Sequence, residues 1–183
     1  MFIGREEELK FLEDRYNSAD GQLIVLYGRR RVGKTELLRQ FCQDKEHIFY
    51  TCTEIIDEKQ LEAFSQRLLE KNHQAAKYIT RFSDWEQALL SISELAKEKK
   101  IVVVIDEFPY MVKGNNAIPS ILQKLWDEVL KQSNVMLILC GSAMSFIEKE
   151  VLAEKKPLYG RATGILKTVS YTHLRAHETT LHL

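Results

Sequence analysis

A chain of 183 residues with 45% hydrophobic side chains holds one ordinary domain, or one domain with a short appendage, and is not broadly disordered. Its 26 Lys and Arg balance 26 Asp and Glu, so it lacks the basic excess typical of a nucleic-acid binder. The longest apolar runs, IVVVI at 101–105 and VMLILC at 135–140, are too short to span a bilayer, and MFIGREEELK has acids where a secretory leader has an apolar core. No membrane partner is expected, and the expected location is cytoplasmic.

In chain order, REEELKFLEDRY after Gly4 spaces Leu9, Leu12 and Tyr16 helically, with acids crowding its first turn. A short apolar strand, 23–27, runs into the glycine-bracketed turn GRRRVGKT, and TELLRQFC reads as a helix starting inside that turn. HIFYTCT, 47–53, is β-branched and aromatic, the mark of a second strand. Helices follow at roughly 57–71 and 83–98, the second with a start signal in Ser83-Asp84 and Glu86. IVVVI is apolar at every position, as a strand buried on both faces is, and Pro109 is expected to end it. Gly114-Asn115-Asn116 marks a loop, 117–132 a helix, VMLILC another doubly buried strand, SFIEKEVLAE a helix and ATGILK, 162–167, a fifth strand. Strands alternating with helices predict an α/β fold, a mostly parallel five-stranded sheet between two helical layers. Cys42, Cys52 and Cys140 form no CxxC pair and read as buried reduced thiols, while Trp85 and Trp126 read as packing residues.

The turn at 28–35 fits GxxxxGK[ST] in full through Gly28, Gly33, Lys34 and Thr35. Glycines let successive backbone N–H groups converge on a phosphate, and the helix start adds its positive end. Arg29, Arg30, Arg31 and Val32 contribute backbone N–H groups more than side chains, and Glu36 continues the first helical turn. Lys34 can reach the terminal phosphates, and the Thr35 hydroxyl can ligate Mg²⁺. A basic surface turn is the competing reading, disfavoured by the strand before it and the helix after it. Such a loop calls for an acid at the end of a second strand, and IVVVIDEF supplies Asp106 for the metal and Glu107 to polarise an attacking water. The bland alternative is two acids opening a loop. Ser142, ending VMLILCGS, would sense the terminal phosphate or orient that water if its strand neighbours the metal strand; otherwise it is a helix N-cap.

FIGREEEL, GRRRVGKTELL, IDEFPYM, LILCGSAMSFI and PLYGRATGILK together resemble the archaeal-type ATPases, P-loop proteins related to the STAND signalling and origin-recognition ATPases. The likeness covers roughly 1–167 and implies a P-loop ATPase core of the class whose extra strand carries a catalytic glutamate. It implies ATP and Mg²⁺ as cofactors; adenine rather than guanine follows mainly from the resemblance, since no NKxD-type motif is present. It places Phe2, Ile3, Gly4 and Arg5 near the base, and makes Arg161 a candidate arginine finger or internal sensor. Ordinary ion pairs for Arg5, and a surface arginine after a Tyr-Gly turn for Arg161, stand beside those roles. The resemblance further implies a homo-oligomer, and a DNA or protein partner reached through a lid and effector region that the family carries beyond this stretch.

Residues 168–183 fall outside the likeness and are expected to be an artefactual or disordered tail; His173 and His177 stand four apart, but a metal site is not expected there. Three functions follow: Mg-dependent ATP binding with slow hydrolysis, a nucleotide-operated switch governing a partner or DNA, or an incomplete fragment that neither folds stably nor binds nucleotide.

Overall fold

A computed structural model describes residues 5–169. Its five strands are β1 (Gln22–Tyr27), β2 (His47–Thr51), β3 (Ile101–Asp106), β4 (Val135–Gly141) and β5 (Gly164–Lys167). They lie in the order β2-β3-β4-β1-β5, with every adjacent pair parallel. The three inner strands are buried at every position, as their unbroken apolar runs require. The outer strands alternate: in β2 only Ile48 and Tyr50 are buried.

The helices divide between the two faces. α1 (Glu6–Tyr16) and α2 (Lys34–Cys42) cover one, where Leu12, Leu37, Leu38 and Phe41 pack on Ile24, Leu26, Val104 and Ile138. The other face carries α3 (Asp57–Lys71), α4 (Trp85–Leu95), α5 (Phe108–Gly114) and α6 (Ile118–Glu128). There Phe64, Leu68, Trp85, Leu89 and Leu125 pack on Val25, Val103, Ile105 and Leu137. Each large apolar side chain so enclosed contributes roughly 1.5–3 kcal/mol. All three cysteines are buried and free, and burial pushes the Cys42 thiol up to about 12. This is a three-layer αβα core, with all strand carboxyl ends on one edge.

Local departures from the sequence expectations have physical causes. Pro109 does not merely stop β3; it sits in the first turn of α5, where a missing N–H costs nothing. The helix expected at 145–154 is a single α turn, Met144–Phe146, continued by a π turn, Ile147–Val151, whose Leu152 N–H bonds Ile147 O. β2 stops at Thr51 and β5 starts at Gly164, both shorter than the apolar patterns suggest. Thr168 and Val169 belong to the packed domain: Thr168 is buried and its N–H bonds Tyr27 O at 2.8 Å. The remainder of the tail, with its histidines, lies outside the described residues.

The start of α4 also differs. Asp84, not Ser83, is the N-cap, accepting from the Gln87 N–H at 2.8 Å, while Glu86 turns outward to pair with Lys124. Asp84→Ala should therefore lower stability by about 1 kcal/mol in a urea melt, and Ser83→Ala should leave the midpoint within a few tenths of a kcal/mol. Equal losses at both positions would return the cap to Ser83.

Candidate nucleotide site

β1 delivers the chain to the carboxyl edge and ends at Tyr27; Gly28 begins the turn, and its N–H bonds Gly141 O on β4 at 3.3 Å. A side chain at Gly28 would collide with Thr168, whose Oγ1 lies 2.3 Å from the position a Cβ would take. Glycine is required there by close approach, not by dihedral. Gly33 is the opposite case: it has φ of 89°, with nothing within 4 Å of a Cβ, and serves as the N-cap of α2. Arg31 also adopts a left-handed φ of 64°. The side chains of Arg29, Arg30 and Arg31 are exposed, and Arg30 reaches the Tyr110 hydroxyl at 3.5 Å. The turn thus closes on itself and leaves the unpaired N–H groups of the α2 start facing a cleft.

Lys34 is 6% exposed, and its ammonium donates to Gly28 O at 2.8 Å and Arg29 O at 2.6 Å. Burial pulls its pKa below the ordinary lysine value, an effect countered by Cys140, Glu107 and Asp106 and reinforced by Arg30. Both acceptors are neutral carbonyls, so an anionic phosphate oxygen, which pairs charge with charge, can replace them.

Thr35 Oγ1 donates to Asp106 Oδ2 at 2.9 Å. Asp106 is 3% exposed at the end of β3, and its Oδ1 accepts the Glu107 N–H at 2.9 Å. Glu107 has φ of 54°, the left-handed turn that carries the chain from β3 into α5. Its carboxylate accepts from Ser142 Oγ, 3.2 Å from both oxygens. β3 and β4 are neighbours, so the condition set for Ser142 holds, and its side chain caps no helix; Ala143 is the N-cap position. Lys34, Thr35, Glu36 and Glu107 line one cleft of ≈ 330 Å³ with Arg30, Arg31 and Gly33. The adjacent hydroxyl and carboxylate oxygens of Thr35 and Asp106 suit a hard, oxygen-preferring divalent cation.

Arg5 is 7% exposed; its guanidinium pairs with Glu8 at 2.8 Å, bonds Val32 O, and bonds Val169 O at 3.0 Å. The ion pair expected of Arg5 is present, and its guanidinium also bonds the backbone of the glycine turn. Phe2, Ile3 and Gly4 lie outside the described residues.

Arg161 requires a correction. It stands at the amino edge of the sheet, three residues before β5, where Thr163 N–H bonds Leu23 O near the beginning of β1. Its Nε and Nη2 grip Asp127 at 3.0 and 2.8 Å, and its Nη1 bonds Pro157 O at 3.0 Å. The sheet separates it from Lys34 and Asp106 of its own chain, so it is no internal sensor.

Three residues at the site are given no role in it by the sequence motifs that point there. Thr168 follows the last expected strand by one residue, and its β-branched type after GILK was the available signal. Tyr110 and the buried Cys140, whose thiol burial and Asp106 push well up, gave no local signal for the site.

The profile of a family described as an ATPase domain predominantly from Archaea matches residues 2–175. An uncharacterized protein of Methanocaldococcus jannaschii is 37% identical over 177 residues, covering 96% of this chain and 38% of that protein. Among solved structures, a Walker-type ATPase of Pyrococcus abyssi superposes with a TM-score of 0.66 at 26% identity, covering 91% of this chain and 53% of that one. Cdc6p of Pyrobaculum aerophilum gives 0.64 at 17% identity, covering 99% and 49%, a likeness of fold. The chain spans 38%, 53% and 49% of these proteins' lengths. With the phosphate-loop geometry and these matches together, the chain belongs to the archaeal ATPase-domain family.

Proposed function

We propose that this chain binds Mg·ATP at the carboxyl edge of β1, β3 and β4 and hydrolyses it slowly. The observation that carries the reading is the meeting at 2.9 Å of Thr35, in the first turn of α2 after β1, and Asp106, at the end of β3, although β4 lies between those two strands. In this reading, backbone N–H groups of residues 30–35 cradle the β- and γ-phosphates, and Lys34 exchanges its two carbonyl partners for phosphate oxygens. Thr35 and Asp106 would hold Mg²⁺. Bound Mg²⁺ supplies charge neutralisation at the phosphate oxygens. Glu107 accepts the proton of the attacking water, and Ser142 orients the Glu107 carboxylate beforehand. Ile3, Gly4 and Arg5 border the base.

A second reading, a nucleotide-operated switch acting on a protein or DNA partner or on a second copy, is favoured by one observation. Arg5 bonds both the phosphate loop at Val32 O and the chain leaving β5 at Val169 O, so movement of the loop is felt where the chain departs the sheet. In such a switch Arg161 would act on a neighbouring subunit.

Two measurements test the site. In a thermal melt, Mg·ATP at 100 times its Kd should add about 2.7 kcal/mol, a rise of several degrees for a chain of this size, and Lys34→Ala should abolish it. An equal rise in Lys34→Ala would remove the phosphate-loop reading. Glu107→Gln should keep the rise and lose turnover by about 10²–10⁴-fold, the worth of a general base. Undiminished turnover would withdraw Glu107 from that role; a parent chain that binds without measurable turnover would favour the switch.

A further inference from the structure

β2 is the outer strand of the sheet and pairs with β3 alone. In a parallel pair, alternate residues direct their N–H and C=O toward the neighbour. Val102 N–H bonds Glu46 O and Cys52 N–H bonds Asp106 O, which marks Glu46, Ile48, Tyr50 and Cys52 as the inward set. The backbone groups of His47, Phe49 and Thr51 therefore point outward, and among the described residues nothing bonds them. α2 and α3 stand on either side, so the strand edge forms the floor of a groove of ≈ 690 Å³.

The groove is positively charged. Arg39, Arg67 and Lys71 line it against one carboxylate, Glu70. Arg39 lies over the Phe49 ring, 4.5 Å from its centroid, and has no acidic partner among the described residues. Arg67 is 3.7 Å from Glu70, and Lys71 shares Glu46 with Lys99, at 3.1 and 3.3 Å. A β2–β2 pairing of two copies would set like charges against each other, and cations beside an edge strand commonly deter such pairing. The same charges attract a strand that brings carboxylates.

We propose that the β2 edge accepts an extended acidic peptide segment of a partner protein by strand addition. Its backbone would bond His47, Phe49 and Thr51, and its side chains would alternate between Arg39 on the α2 side and Arg67 with Lys71 on the α3 side. The repeated donor–acceptor edge complements a peptide backbone rather than phosphates. This surface stands apart from the phosphate loop, and the inference holds whether or not nucleotide is hydrolysed.

The test is fluorescence anisotropy of a labelled Glu/Val heptapeptide titrated with the full chain. Saturable binding is expected, weakened about tenfold or more by Arg67→Glu combined with Lys71→Glu and by raised salt. A peptide N-methylated along one edge should lose binding to the parent chain, a comparison that needs no protein variant. Absence of saturable binding would overturn the proposal, as would equal binding of the N-methylated or the Lys/Val peptide. Displacement by mixed-sequence duplex DNA, or dimerisation of the chain in light scattering, would assign the groove to another occupant.

Discussion

Thr35 and Asp106 belong to segments 71 residues apart, and their side chains meet at 2.9 Å. The contact depends on the sheet order. β1 and β3 are held two strand spacings apart, about 10 Å, by β4 between them. The phosphate loop must lean across the end of β4 for its hydroxyl to reach the carboxylate. The Gly141 carbonyl anchors the Gly28 N–H as the loop leaves β1, while its missing side chain admits Pro109 of α5 and Ile147, which would lie 2.9 and 3.3 Å from a Cβ there. Parallel pairing throughout then brings every polar residue of the site to one edge, where ligands of open α/β sheets bind.

Strain is concentrated at that edge. Among the described residues Arg31 and Glu107 alone adopt positive φ without being glycine. Conformations of this kind cost about 1–3 kcal/mol and persist where their surroundings hold them. At Glu107 the holding contacts are visible: its N–H is tied to Asp106 Oδ1 and its carboxylate to Ser142, while Phe108, buried, anchors the α5 start. The turn that strains the backbone is also what turns the carboxylate from β3 toward β4. At Arg31 the turn lets the loop reverse before Gly33, with the charged side chain left in solvent.

Much of this was legible in the residue order because the signals were local. Unbroken apolar runs mark β1, β3 and β4, and α3 begins and ends where its pattern does. The spacing of Gly28, Gly33, Lys34 and Thr35 encodes the loop, and Asp106-Glu107 encodes its counterpart. Ser142 was conditional on strand adjacency, which only the sheet order decides. For Arg161 the family resemblance implies a finger or an internal sensor and the Tyr-Gly turn a surface arginine; the sheet order removes the internal sensor, because the chain reaches that point at the amino edge, before β5 climbs beside β1. Pro109 and Asp84 turned on single-residue helix-start geometry, which pattern resolves only to within a residue or two.

The most direct test of the account is electron paramagnetic resonance of Mn²⁺ as a stand-in for Mg²⁺, titrated with ATP and the chain, in the parent and in Thr35→Ala and Asp106→Asn. The account predicts a protein–Mn·ATP signal distinct from free Mn·ATP in the parent, altered or weakened about tenfold in both variants. The same signal at the same affinity in all three proteins would contradict it, because the metal would then be held without the two side chains that the sheet brings together.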